Sequence, residues 1–177
     1  MAEVLLRRRL AAAGVDARVS SAGLYEGGQP ATDHGVTTMA ERGLDLTAHR
    51  SRQVDDTMLA HADLVIGMAR EHVREAAVLA PDALARTFTL KELVRLAGAD
   101  GPRPHDEALA VWLARLAQAR SREALVGLGH DEELDVEDPV GRGRRDYEIT
   151  ADLLDELLAK VVELAFPADA RRQERSA

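Results

Sequence analysis

The stretch Ala62-Asp-Leu-Val-Ile-Gly-Met68 constrains the fold more than any other part of the sequence. Leu64, Val65 and Ile66 form a continuous apolar run with no polar alternation, which predicts a short strand covered on both faces, as in a parallel sheet. A helical pattern follows directly, from Ala69 to Leu79, and Pro81 breaks it. The order then repeats: "ARTFTL" predicts a strand over Thr87, Phe88 and Thr89, and "KELVRLAG" returns to helix before Gly98. Strand and helix in alternation predict βαβ units wound into an open parallel sheet, with ligands bound beyond the C-terminal ends of the strands.

The flanks fit the same scheme. "MAEVLLRRRLAAAG" places Ala2, Leu5, Leu6, Leu10 and Ala13 on one helical face and Arg7 and Arg8 on a solvated one, with Gly14 as a left-handed stop. No capping Ser, Thr, Asp or Asn precedes this helix. A crossover helix also needs a strand on either side, so the pattern predicts a strand and a strand-to-helix loop ahead of Met1. The strand after it is predicted in "VDARVSSAG", where Val15, Ala17 and Val19 alternate with polar residues up to Gly23. Thr32 or Asp33 caps a helix to about Arg42, closed by Gly43, and another capped helix starts near Asp55. "GADGPRPHDE" reads as a mobile connector or insertion, and Leu109, Trp112, Leu113 and Leu116 form a helical stripe. An acidic loop over residues 131–138 leads to a final helix, with Leu154, Leu157, Leu158, Val161 and Ala165 on one face, that stops at Pro167. One domain is expected over residues 1–166, with residues 167–177 as a frayed tail.

Charge and composition exclude several classes. With 31 acidic against 23 basic residues the net charge is -8, which repels a phosphate backbone, so no nucleic-acid partner is expected. No apolar run approaches the roughly 20 residues that span a bilayer, and no secretory signal opens the chain, so no membrane partner and a cytoplasmic location are expected. The 177 residues contain no cysteine, hence no thiol nucleophile, disulfide or thiolate metal site. His34, His49, His61, His72, His105 and His130 are scattered without ligand spacing, and the acidic loop lacks the glycine and ligand order of a calcium loop. "GRGRR" follows no apolar strand and is no dinucleotide fingerprint. Neither metal nor cofactor is expected.

Taken in order, "MAEVLLRRRLAAAGVDARVSSAGL", "ATDHGVTTMAERGLDLTAHRSRQV", "ADLVIGM" and "VEDPVG" resemble the low molecular weight protein tyrosine phosphatase family. The resemblance implies a three-layered α/β/α fold around a doubly wound open parallel sheet, with strands ordered 2-1-3-4. Its central first strand and Cys-x-x-x-x-x-Arg-Ser-Pro loop would precede the counterpart of "MAE". Such a loop holds a phosphate dianion on consecutive backbone N–H groups and an Arg fork, and lowers the pKa of the attacking thiol. A carboxylic acid must then protonate the leaving oxygen and activate water.

The resemblance assigns that acid/base role to Asp138 of "EDPVG", although Asp before Pro also serves ordinary turns. It gives Ser21 and His49 hydrogen bonds that hold the shape of the nucleophile loop. Read from the residues alone, Ser21 could instead satisfy a turn, and His49 could be a plain surface or core histidine. Arg52 could screen a phosphate or pair with a carboxylate. Val140 departs from the family, where an aromatic residue often walls the substrate pocket. The implied function is that of a protein tyrosine phosphatase-like phosphomonoester hydrolase acting on a phosphotyrosine protein or a small phosphomonoester, inactive in this chain for want of the nucleophile loop. The alternative is a noncatalytic relative that acts through protein binding. An arsenate reductase is disfavoured, because its chemistry needs further cysteines.

Overall fold

The computed structural model describes residues 1–120 and 132–167. These described residues fall into two compact units, one of residues 1–54 and 137–159, the other of residues 55–120, 132–136 and 160–167.

In the first unit, helix α1 (Ala2–Ala12) buries Leu5 and Leu10 and ends at Gly14, whose φ of 68° is the left-handed stop its sequence predicts. Helix α2 (Asp33–Ala40) is capped by Thr32, whose Oγ accepts the Gly35 N–H at 3.2 Å, and Gly43 closes the following turn with φ 70°. The part of the long helix α7 (Arg144–Ala165) that lies in this unit, up to residue 159, contributes Tyr147, Ala151, Leu154, Leu157 and Leu158 to the buried set. Its Asp155 accepts from Arg9 Nε at 2.9 Å and Nη2 at 2.6 Å, and from Arg8 Nη2 at 3.1 Å, which ties α1 to α7. The arginines of α1 are therefore clamps as much as a solvated face.

In the second unit, Asp55 caps helix α3 (Asp56–Ala60), its carboxylate accepting the Met58 N–H at 2.7 Å. Strand β1 (Val65–Gly67) pairs in parallel with β2 (Thr87–Thr89), Ile66 opposite Phe88. The connection runs through helix α4 (Arg70–Leu79) and a 3₁₀ turn over Pro81–Arg86, the crossover that a parallel pair requires. Thr89 ends β2 and caps α5 (Leu90–Asp100), taking the Glu92 N–H at 3.1 Å. Helix α6 (Leu109–Gln118) buries Trp112, Leu113 and Leu116, the stripe seen in its sequence. Among the described residues no helix is long and apolar enough to cross a membrane.

Three expectations change. The alternating residues Val15–Val19 form no strand. Alternation yields a strand only where the backbone finds a ladder, and here Arg7 Nη2 takes the Val19 carbonyl at 3.0 Å while pairing begins only at Gly23, in an isolated parallel bridge to Gln53. Gly98 does not end α5, which runs on to Asp100 and stops at Gly101 with φ 95°. The connector after it is pinned: Arg103 donates its N–H to the Leu164 carbonyl at 2.8 Å and its Nε to the Ala165 carbonyl at 2.7 Å. Those are terminal carbonyls of α7, which lack helical partners of their own. His130, Asp131 and residues 168–177 lie outside the described residues.

Candidate active site

Two irregular loops build the site region of the first unit. Gly23 N–H donates to the Arg52 carbonyl and Val54 N–H to the Gly23 carbonyl, both at 2.9 Å. Further along, Gly28 N–H meets the Ser51 carbonyl at 2.7 Å, and Ser51 N–H the Gln29 carbonyl at 2.8 Å. The approach depends on Gly27, where a Cβ would stand 2.8 Å from both Arg52 Cα and the Ser51 carbonyl oxygen.

These loops deliver Ser21, His49 and Arg52 to the first turn of α1. Ser21 Oγ donates to Glu3 Oε2 at 2.5 Å, Arg7 Nη2 reaches Glu3 Oε1 at 2.5 Å, and Arg52 Nε donates to the Ser21 carbonyl at 2.7 Å. Partial burial pushes the Glu3 carboxyl up, but the Ser21 hydroxyl, the Arg7 guanidinium and the charge of His49 outweigh it and hold it below the usual carboxylate range. The Met1 ammonium, largely withdrawn from water, is pushed down by that desolvation, against the pull of Glu3. At the first turn of α1 an ionised carboxylate thus meets the Ser21 hydroxyl, with His49 near enough to act on it by charge.

Asp138 sits on the chain just before α7, exposed, with Pro139 buried beside it. Its Oδ1 accepts the Val140 N–H at 3.0 Å, an Asx turn that Gly141, at φ 80°, completes. Arg142 N–H donates to the Pro139 carbonyl at 2.9 Å, and the Arg142 side chain pairs with Glu137 at 2.7 Å. Among the described residues Asp138 Oδ2 takes no hydrogen bond, so that oxygen is open to a proton donor or to water. Val140 is 64% exposed. Ser21, His49 and Arg52 are brought together, whereas the contacts of Asp138 stay within its own turn.

A sequence model of the family described as low molecular weight phosphotyrosine protein phosphatase matches residues 1–109. The chain belongs to that family. Among curated relatives of this phosphatase-family chain, a probable low molecular weight protein-tyrosine-phosphatase EpsP of Ralstonia solanacearum is 35% identical over 94 residues. That match covers 52% of this chain and 62% of the relative, less than two thirds of its length. The crystal structure of a low molecular weight protein tyrosine phosphatase from T. tengcongensis superposes with a TM-score of 0.66 at 27% identity, covering 92% of this chain and 87% of that one. The YwlE arginine phosphatase from Geobacillus stearothermophilus, at 24% identity, shares the fold with a TM-score of 0.63 over 99% of this chain and 85% of its own. The fold class is thus the doubly wound α/β fold of the low molecular weight phosphatases, and the βαβ unit of β1, α4 and β2 is part of it.

Two side-chain arrangements, one in each unit, were not read from the sequence. Glu3 lies in the first turn of α1, where an acid complements the helix dipole, and nothing local in the sequence marks it as the partner of Ser21. The acidic run ahead of Asp138 read as a solvated loop. Asp135 instead holds the buried Arg70 with both oxygens, and Val136 is buried with its N–H on the Met68 carbonyl at 2.7 Å.

Proposed function

We propose that residues 1–166 form one phosphatase-like domain carrying the supporting half of a phosphomonoester hydrolase site of the protein tyrosine phosphatase type. In this reading Asp138 is the general acid/base, and Ser21 and His49 hold the shape of a Cys-x-x-x-x-x-Arg-Ser-Pro loop placed ahead of α1. The substrate is a phosphotyrosine protein or a small phosphomonoester in the cytoplasm. The observation that carries the reading is that Ser21, itself held by Arg52, bonds Glu3 at the N-terminal turn of α1, where His49 also acts on Glu3 by charge, at the end of a helix where an oxyanion is favoured. The second support is the uncommitted oxygen of Asp138 on an exposed turn.

The 177 residues hold no cysteine, so this polypeptide alone supplies no thiolate to form a phosphoenzyme, and it is inactive as it stands. The test is hydrolysis of para-nitrophenyl phosphate. The chain alone is expected to stay at background, and a fusion that joins a strand and a Cys-x-x-x-x-x-Arg-Ser-Pro loop to Met1 is expected to turn over substrate. Asp138→Ala in that fusion should lower kcat by about 10²-fold or more. A fusion that binds phosphate but gains no hydrolysis sinks the proposed roles.

The absence of cysteine favours one second reading, a noncatalytic family member that acts by binding a protein. Capture of a partner protein by the chain alone, undisturbed by millimolar phosphate, would favour it.

A further inference from the structure

Helix α4 begins without a capping side chain at its own N-cap. Ala69 stands there in extended conformation, φ -137° and ψ 161°, and offers no oxygen. The cap comes from inside the helix. His72 Nδ1 lies 3.0 Å from the Ala69 nitrogen and 3.2 Å from the Met68 nitrogen, so one ring lone pair accepts two backbone N–H groups. Only an imidazole bare at Nδ1 can do this, because a proton there would set a third donor against the other two. The proton of the neutral ring then rests on Nε2, which faces Glu71 Oε1 at 3.9 Å. The ring sits close against the strand exit, where a Cβ on Gly67 would stand 3.0 Å from His72 Cβ.

The peptide that His72 grips has a second end. The Ala69 N–H and the Met68 carbonyl belong to one planar group, so neither can turn without the other. That carbonyl accepts the Val136 N–H at 2.7 Å, two residues before Asp138. A change at Nδ1 therefore reaches the acidic segment through a single rigid unit.

We infer that His72 is a proton-operated clasp on this segment: bare at Nδ1 it fixes the Met68–Ala69 peptide and with it Val136, and protonation at Nδ1 releases both. The charged groups around it are Glu71 on its own helix, Arg70 beside it paired with Asp135, and Lys91 of α5 acting on Asp135. The clasp concerns the order of residues 135–136 and holds whether or not Asp138 serves a nucleophile.

The test is read by amide exchange and nitrogen spectra of the intact chain. At about pH 8 the ¹⁵N shifts of His72 should show Nδ1 as a bare, hydrogen-bonded acceptor and Nε2 as protonated. Between about pH 8 and pH 5, protection of the Met68, Ala69 and Val136 amides, corrected for intrinsic exchange, should fall about tenfold. In H72N the amide oxygen stands as far from Cβ as Nδ1 does and accepts at every pH, so all three protections should persist. A protonated Nδ1 at the upper pH overturns the clasp, as does an equal loss in H72N, or a Val136 amide that stays protected while Met68 and Ala69 open. Should H72N fold poorly, the native spectra and the Val136 amide decide alone.

Discussion

Arg70 holds Asp135 from two directions: its backbone N–H donates to Oδ1 at 2.9 Å, and its guanidinium reaches both oxygens at 3.0–3.2 Å. The Arg70 side chain is only 9% exposed, so this ion pair lies largely out of water. Asp135→Ala removes the carboxylate that both the Arg70 backbone N–H and its guanidinium bond, and should lower the stability of the second unit by about 2–3 kcal/mol, read as a urea midpoint.

Acid should act through the same carboxylates. Partial burial pushes Asp135 up, but the hydrogen bonds and charge of Arg70, with Lys91, hold it below the usual range; Asp155 is held low by its hydrogen bond from Arg9, against partial burial and with help from Arg8. A carboxyl depressed in the folded state adds stability that is fully present above its unfolded pKa of about 3.9 and is lost as pH falls through its folded value. Urea midpoints should therefore hold near pH 5 to 7 and drop below about pH 4. Asp135→Asn and Asp155→Asn should each flatten part of that drop.

Glu92 and Arg120 form the most deeply buried ion pair among the described residues, each side chain 4% exposed, with the guanidinium 4.2 Å over the Phe88 ring and donating to the Leu84 and Thr87 carbonyls. Glu92→Ala leaves the cation unpaired and should cost about 3–5 kcal/mol. The double replacement Glu92→Met with Arg120→Met should recover most of it, measured as a double-mutant cycle.

Gly27→Ala should part the two site loops, because the new methyl meets backbone rather than a side chain that can move aside. A loss of about 2 kcal/mol is expected, with faster amide exchange at Gly28 and Ser51. Gly23→Ala, with nothing within 4 Å of its Cβ, is the matched control and should change little.

Thr32→Ala removes the α2 cap, and Thr89→Ala removes that of α5. Each should cost about 1 kcal/mol by thermal melting. The Thr32 change should also loosen Tyr147, whose hydroxyl lies 3.0 Å from Thr32 Oγ.

Local chemistry made much of this legible in the sequence. The unbroken apolar run at Leu64–Ile66 and the Thr87–Thr89 segment announced a parallel pair, and Thr32, Asp55 and Gly43 marked helix ends, because each acts within a few residues of itself. Val15–Val19 misled because alternation reports which side chains could share a face, and a ladder needs a neighbour that no local pattern specifies. Gly98 misled because a helix tolerates one glycine where flanking residues such as Leu96 and Ala97 are buried. Side-chain partnerships divided likewise. Ser21 and His49 carried a motif, while Glu3, Asp135 and Arg120 gained their partners from residues 18 to 65 positions away, a separation that no spacing rule reads.

Residues 101–120 are stitched to three places: Arg103 to the carbonyls that end α7, Arg115 to Asp100 at 3.0 Å, and Arg120 to Glu92. Excising them as a surplus loop would maroon the Glu92 carboxylate in a hydrocarbon interior. A relative that dispenses with α6 is therefore expected to carry an uncharged residue at the position of Glu92, the two features arriving or vanishing in company.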